Sequence, residues 1–136
     1  MTKRIERETD PKIIETLKPN FIEDGCYTKD LMADEFERLM RLLPDSICVL
    51  VGYDDDFISG LLIAYVVDNR DYAYLAQAYS ISKSDFAKEG FDMLIEWCKS
   101  LSLNELRYET ERDSAQMIGT KRYGFSEHGV VMARKI

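Results

Sequence analysis

Apolar residues follow two rhythms along the chain. Over Asp30–Leu43 they recur at Leu31, Met32, Phe36, Leu39, Met40 and Leu43, the spacing of one helix face. Pro44 stops that helix. Over Asp85–Leu101 they recur at Phe86, Gly90, Met93, Leu94, Trp97, Cys98 and Leu101, with acids and lysines between, which predicts a second amphipathic helix. The other rhythm is that of strands. Ser46–Tyr53, Phe57–Val67 and Tyr72–Ile81 are short runs of β-branched, aromatic and small apolar residues, joined by tight turns at Asp54–Asp56 and Asp68–Asp71. Phe57–Val67 is apolar on both faces and is therefore central.

Weaker patterns flank these. Lys3–Thr9 is read as a first strand, and Pro11 opens a short helix with Ile13, Ile14 and Leu17 before Pro19. The stretch 20–28, with Gly25, is a loop. Leu103–Thr110 alternates as a strand, and Ser114–Tyr123 is a short helix ended by Gly124. Phe125–Ile136 is read as one closing strand centred on Val130, Val131 and Met132. The order is β-α-α-β-β-β-α-β-α-β. It predicts a single α/β (α+β) domain over residues 1–136, with a mixed, mostly antiparallel sheet that becomes parallel around the helix of residues 85–101.

The stretch Tyr72–Leu101 organises the rest. A strand running directly into a helix aims free backbone N–H groups and a positive dipole end at one point, a seat suited to phosphate. Ser82, Lys83 and Ser84 stand at the junction, and either serine is a suitable cap. The alternative is an ordinary βα turn without a ligand.

With 136 residues, 46% of them hydrophobic, the chain holds enough for one core and too little for two domains. A net charge of −7 excludes a bulk attraction to nucleic acid or an anionic membrane, and suits a cationic substrate or partner. Cys26, Cys48 and Cys98 are odd in number and widely spaced, the usage of free thiols in a reducing compartment. The polar N-terminus and the short apolar runs leave no signal peptide and no membrane span, so a cytoplasmic protein is expected.

Chemistry-bearing motifs are sparse. His128 is the single histidine, which excludes a histidine-rich metal site. Asp54, Asp55 and Asp56 lack the glycine and distal glutamate of a calcium loop and read as a solvated turn, so no metal is expected. Trp97 reads as core, and Glu105, Arg107, Glu109 and Glu111 as one solvated strand face.

Two patterns, taken with the element order, resemble the GNAT superfamily of acetyl-CoA-dependent N-acetyltransferases. One is the strand–loop–helix Tyr72–Leu101 followed by ELRYET; the other is SAQMIGTKRYGFSEHGVVMARKI, with its Gly124-Phe125 pair. The resemblance implies that acetyl-CoA lies in a V-shaped gap where the fourth and fifth strands splay. It implies cofactor contacts at Tyr79, Ser80 and Ile81 on the strand, at Lys83, Lys88, Glu89, Gly90 and Phe91 around the helix start, and at Ser114. The family's cofactor loop, Q/R-x-x-G-x-G/A, falls on Asp85-Phe86-Ala87-Lys88-Glu89-Gly90, where only Gly90 matches. Asp85 and Glu89 bring negative charge towards the phosphates, and Lys83 and Lys88 offset it. The family's usual tyrosine acid is Thr120 here, a far poorer proton donor than a phenol. Tyr123 and Tyr79 are substitutes, and Glu109 is the candidate base.

Two functions follow from the resemblance. One is acetyl transfer to a primary amine of a small molecule or protein by a monomer or homodimer. The other is a binding module that keeps the fold, has a decayed cofactor loop and meets a protein partner through its acidic surface.

Overall fold

The computed structural model describes residues 3–23, 27–67, 70–80, 85–109, 126–128 and 131–136. They form β1 (Lys3–Glu8), α1 (Ile13–Leu17), α2 (Lys29–Leu42), β2 (Ile47–Asp54), β3 (Phe57–Val66), β4 (Tyr72–Ser80), α3 (Asp85–Ser100), β5 (Glu105–Glu109), β6 (Ser126–His128) and β7 (Val131–Lys135). One sheet takes all seven strands in the order β1-β2-β3-β4-β5-β7-β6. Every neighbouring pair is antiparallel except β4 and β5, which run parallel across the α3 crossover.

Local chemistry sets the element ends. Thr28 caps α2, its hydroxyl accepting from the Leu31 amide at 3.2 Å. Pro44 does more than stop α2. It opens a 3-10 turn over Pro44–Ser46, so β2 begins at Ile47 and not at Ser46. The closing segment also departs from expectation. It forms two short antiparallel strands, with His128 opposite Val131. Pairing register, which an apolar run does not show, decides where the segment folds back. The helix expected over Ser114–Tyr123 lies outside the described residues.

The sheet separates two apolar layers. On one face Ile14, Leu17, Met32, Phe36 and Met40 from α1 and α2 cover Ile47, Val49, Val51, Leu61 and Ile63. On the other, Phe91, Leu94, Ile95, Trp97 and Cys98 from α3 cover Cys48, Leu50, Leu62, Ala64, Ala73, Leu75 and Leu106. Strict alternation in β2 and β3 supplies both faces, which is why these strands read as unbroken apolar runs.

Candidate functional site

β4 changes character along its length. Tyr72, Ala73 and Tyr74 pair with Glu105, Leu106 and Arg107 of β5. Beyond Tyr74 no described strand pairs with β4 on that side, while β5 carries Tyr108 and Glu109 on with β7 alone. The two strands therefore part after Tyr74 and Arg107. On its other side β4 stays paired with β3 to Ser80.

A bulge accompanies the parting. Ile63 pairs with Gln77 and Ala64 with Leu75, so Ala76 is an extra residue in β4. One extra residue reverses the alternation. Ala73 and Leu75 face α3, whereas Ala76 and Tyr79 pack on the α1/α2 face. Gln77 turns the same way and is 4% exposed. Its carboxamide oxygen accepts from the Ile22 amide at 2.8 Å, and its nitrogen donates to the Ile22 carbonyl at 3.0 Å and to Met32 Sδ at 3.0 Å. A single side chain thus ties the segment between α1 and α2 to the part of β4 that β5 has left. The amide is satisfied on both ends, which is what allows it to be buried.

Phe86 lies in the first turn of α3 and is 6% exposed. Its ring rests on Gly52 and Gly60, direct cross-strand partners in β2 and β3. A Cβ at Gly52 would fall 2.5 Å from Phe86 Cδ2, and one at Gly60 would overlap the opposite ring edge and stand 2.9 Å from the Tyr79 carbonyl oxygen. The ring is therefore held over β2 and β3.

Solved structures share this fold over all or nearly all of the chain. A PaiA N-acetyltransferase from Thermoplasma acidophilum, in complex with coenzyme A, superposes with a TM-score of 0.75 over 100% of both chains at 17% identity. A GNAT-family acetyltransferase from Streptococcus pneumoniae gives 0.75 over 99% of both chains at 16% identity. A predicted acetyltransferase from Clostridium acetobutylicum, with acetyl-CoA, gives 0.76 over 93% of this chain and 92% of the other at 13% identity. The chain has the GNAT fold. It matches no protein-family model, and no curated protein is similar to it in sequence.

On this GNAT frame the residues expected to bind or react separate into groups. Tyr79 is half-buried near the end of β4, with its ring on the α1/α2 face, and Ser80 is exposed as the last residue of that strand. Lys88 and Glu89 are exposed on the early turns of α3. Gly90 is buried, and a Cβ there would lie 3.0 Å from Leu62 Cδ1. Its smallness serves the packing of α3 on the sheet. Phe91 is in the core, so its side chain serves packing. Glu109 ends β5 opposite Val131. Ile81, Lys83, Ser114, Thr120 and Tyr123 lie outside the described residues.

Other expectations resolve here too. The strand face of Glu105 and Arg107 is not freely solvated. The two side chains, 16% and 25% exposed, pair at 2.6 Å, and the guanidinium lies 3.9 Å over the Tyr72 ring. They fasten the paired end of β4 to β5. Trp97 is core as expected, its Nε1 buried without a hydrogen-bond partner. Cys48 and Cys98 are buried free thiols, pushed up to about 11 and about 12 by desolvation, with Cys48 adding to the shift at Cys98. Such thiols are poor nucleophiles. Among the described residues no group of His, Cys, Asp and Glu is arranged to hold a metal ion, and no helix is long and apolar enough to cross a membrane.

Sequence reasoning missed Gln77, the Ala76 bulge and the seat of Phe86. Only the last left a signal. A glycine inside a strong apolar strand marks close approach of something, and Gly52 and Gly60 sit in two such strands.

Proposed function

We propose that this chain is an acetyl-CoA-dependent N-acetyltransferase acting on a primary amine of a small molecule or protein. The observation that carries the reading is that β4 pairs with β5 only over Tyr72–Tyr74, so that among the described residues no strand pairs with the later part of β4 on that side. The GNAT neighbours bound to coenzyme A and acetyl-CoA support it.

The residues present fit a thioester nucleotide at this place. Phe86 is held on the glycine pair, Phe91 is in the core, and Lys88 is exposed on the same early turns of α3. Backbone N–H groups near Tyr79 and Ser80 would polarise the thioester carbonyl and stabilise the oxyanion. A neutral amine nitrogen attacks that carbonyl carbon, the C–S bond breaks, and the amide product forms. Glu109, at the end of β5, is the candidate to accept the amine proton, directly or through water. The departing thiolate takes a proton from a candidate acid among Tyr123, Tyr79 and Thr120. The segment held by Gln77 would wall the acceptor side, and the net charge of −7 favours a cationic acceptor.

A second reading is a GNAT-like binding module. The observation favouring it is Gly90, which packs against Leu62, while exposed Lys88 and Glu89 stand where the family has a phosphate-cradling loop. One experiment separates the two. Thermal unfolding is followed with excess acetyl-CoA, and thiol release is then assayed against a panel of polyamines, amino-acid amides and peptides with free N-termini. The enzyme reading predicts a rise of several degrees and thiol release with at least one amine. A rise without turnover supports the binding module, and no rise overturns the transferase.

A further inference from the structure

The seat of Phe86 is built from three places where a side chain is missing. Gly52 and Gly60 face each other across β2 and β3, and Gly90 lies one turn along α3 from Phe86. A Cβ at Gly52 would stand 2.5 Å from Cδ2 and 3.0 Å from Cγ of the ring, and one at Gly90 would stand 3.5 Å from Cε2. Gly60 tolerates even less, since a Cβ there meets both the ring and the Tyr79 carbonyl oxygen. None of these glycines has the left-handed backbone that would itself demand glycine. They are required for space. Glycine weakens a strand interior, and two placed opposite each other in the central strands are a cost that ordinary core packing avoids. Elsewhere the same sheet face is filled by Cys48, Leu50, Leu62 and Ala64.

The location gives the seat its meaning. Gly60 pairs with Ser80, at the end of β4 that β5 has left. Phe86 belongs to the first turn of the helix that follows. The ring therefore joins the two backbone stretches that the proposed function assigns to one thioester nucleotide. We infer that Phe86, seated on Gly52 and Gly60, is a positioning residue that sets the spacing between the start of α3 and the Tyr79–Ser80 end of β4 for acetyl-CoA binding. The inference rests on the transferase reading of that gap. It also suits a loop whose glycines are reduced to Gly90: side-chain docking fixes the helix start that the backbone pattern no longer defines.

The test is calorimetric titration of acetyl-CoA into the parent chain, F86L, F86A, G60A and G60A/F86L. Each is titrated at a temperature where circular dichroism shows it folded. Emptying the seat stepwise is expected to weaken binding about threefold in F86L and tenfold or more in F86A. G60A expels the ring and should also lose tenfold or more. G60A/F86L replaces the rigid ring with a smaller side chain whose Cδ atoms can turn away from the new methyl group, and should bind more tightly than G60A. A purely structural ring would lower the melting temperature of these variants and leave their affinity within twofold of the parent; that result overturns the inference while the transferase reading stands. If F86A and G60A do not fold, F86L decides, with unchanged affinity overturning the inference. Absence of binding by the parent chain overturns the functional reading and this inference together.

Discussion

Among the described residues, the first half of β4 has a strand on each side, and the second half has one on the β3 side only. Tyr72–Tyr74 pair with β5, and Tyr72 lies under the Arg107 guanidinium at 3.9 Å. Among the described strands Gln77–Ser80 pair with β3; Gln77 and Tyr79 lie on the α1/α2 face, and Gln77 bonds Ile22 before α2 and Met32 within it. Between them stands one surplus residue, Ala76. The lesson is that a strand becomes a candidate binding edge by losing a neighbour, and that a bulge at the same point re-aims its side chains. Neither event requires unusual residues.

Substitutions break or sharpen this contrast with graded effects. Leu106→Ala acts on the paired half. Leu106 is fully buried on β5, and the cavity should cost about 2–5 kcal/mol, with acetyl-CoA affinity of the folded protein retained. Reduced affinity at full folding would mean that the two halves are not separable.

Gln77→Met acts on the other half. It keeps the volume but strands the Ile22 amide and carbonyl, at about 1–3 kcal/mol. Faster hydrogen exchange at the Ile22 amide, with exchange at Ala73 unchanged, is the expected pattern; equal acceleration at both would indicate general loosening. The smallest effect is in pH. Burial raises both thiols above their ordinary 9.0, so the unfolded chain releases these protons first. Their contribution to stability is complete below pH 9 and declines as pH rises towards about 11 and about 12. Native protein at pH 8 should resist alkylation at Cys48 and Cys98, with labelling appearing only on unfolding.

The sequence made the architecture legible where burial is one-sided or continuous. The helix face of Phe86, Leu94, Trp97 and Cys98 packs on the sheet as its spacing implied, and the three central strands appear where apolar runs were bounded by aspartates. What escaped notice depends on partners remote in sequence. No local pattern shows that β5 leaves β4 after three pairs, or that Ala76 is surplus, because pairing register is a property of two strands. The closing run reads as one strand because its apolar residues hide where β6 ends and β7 begins. Glu105 and Arg107 read as solvated because alternation alone cannot reveal that Tyr72 lies beside them. Of the candidate site, the β4 end and the helix start were found through family resemblance, and Gln77 was not.

Backbone hydrogen exchange along β4, with and without saturating acetyl-CoA, tests the central claim most directly. The account predicts slowed exchange at amides between Ala76 and Ser80, while Tyr72–Tyr74, already paired on both sides, change little. Equal exchange at Ala76–Ser80 in the two conditions would contradict it.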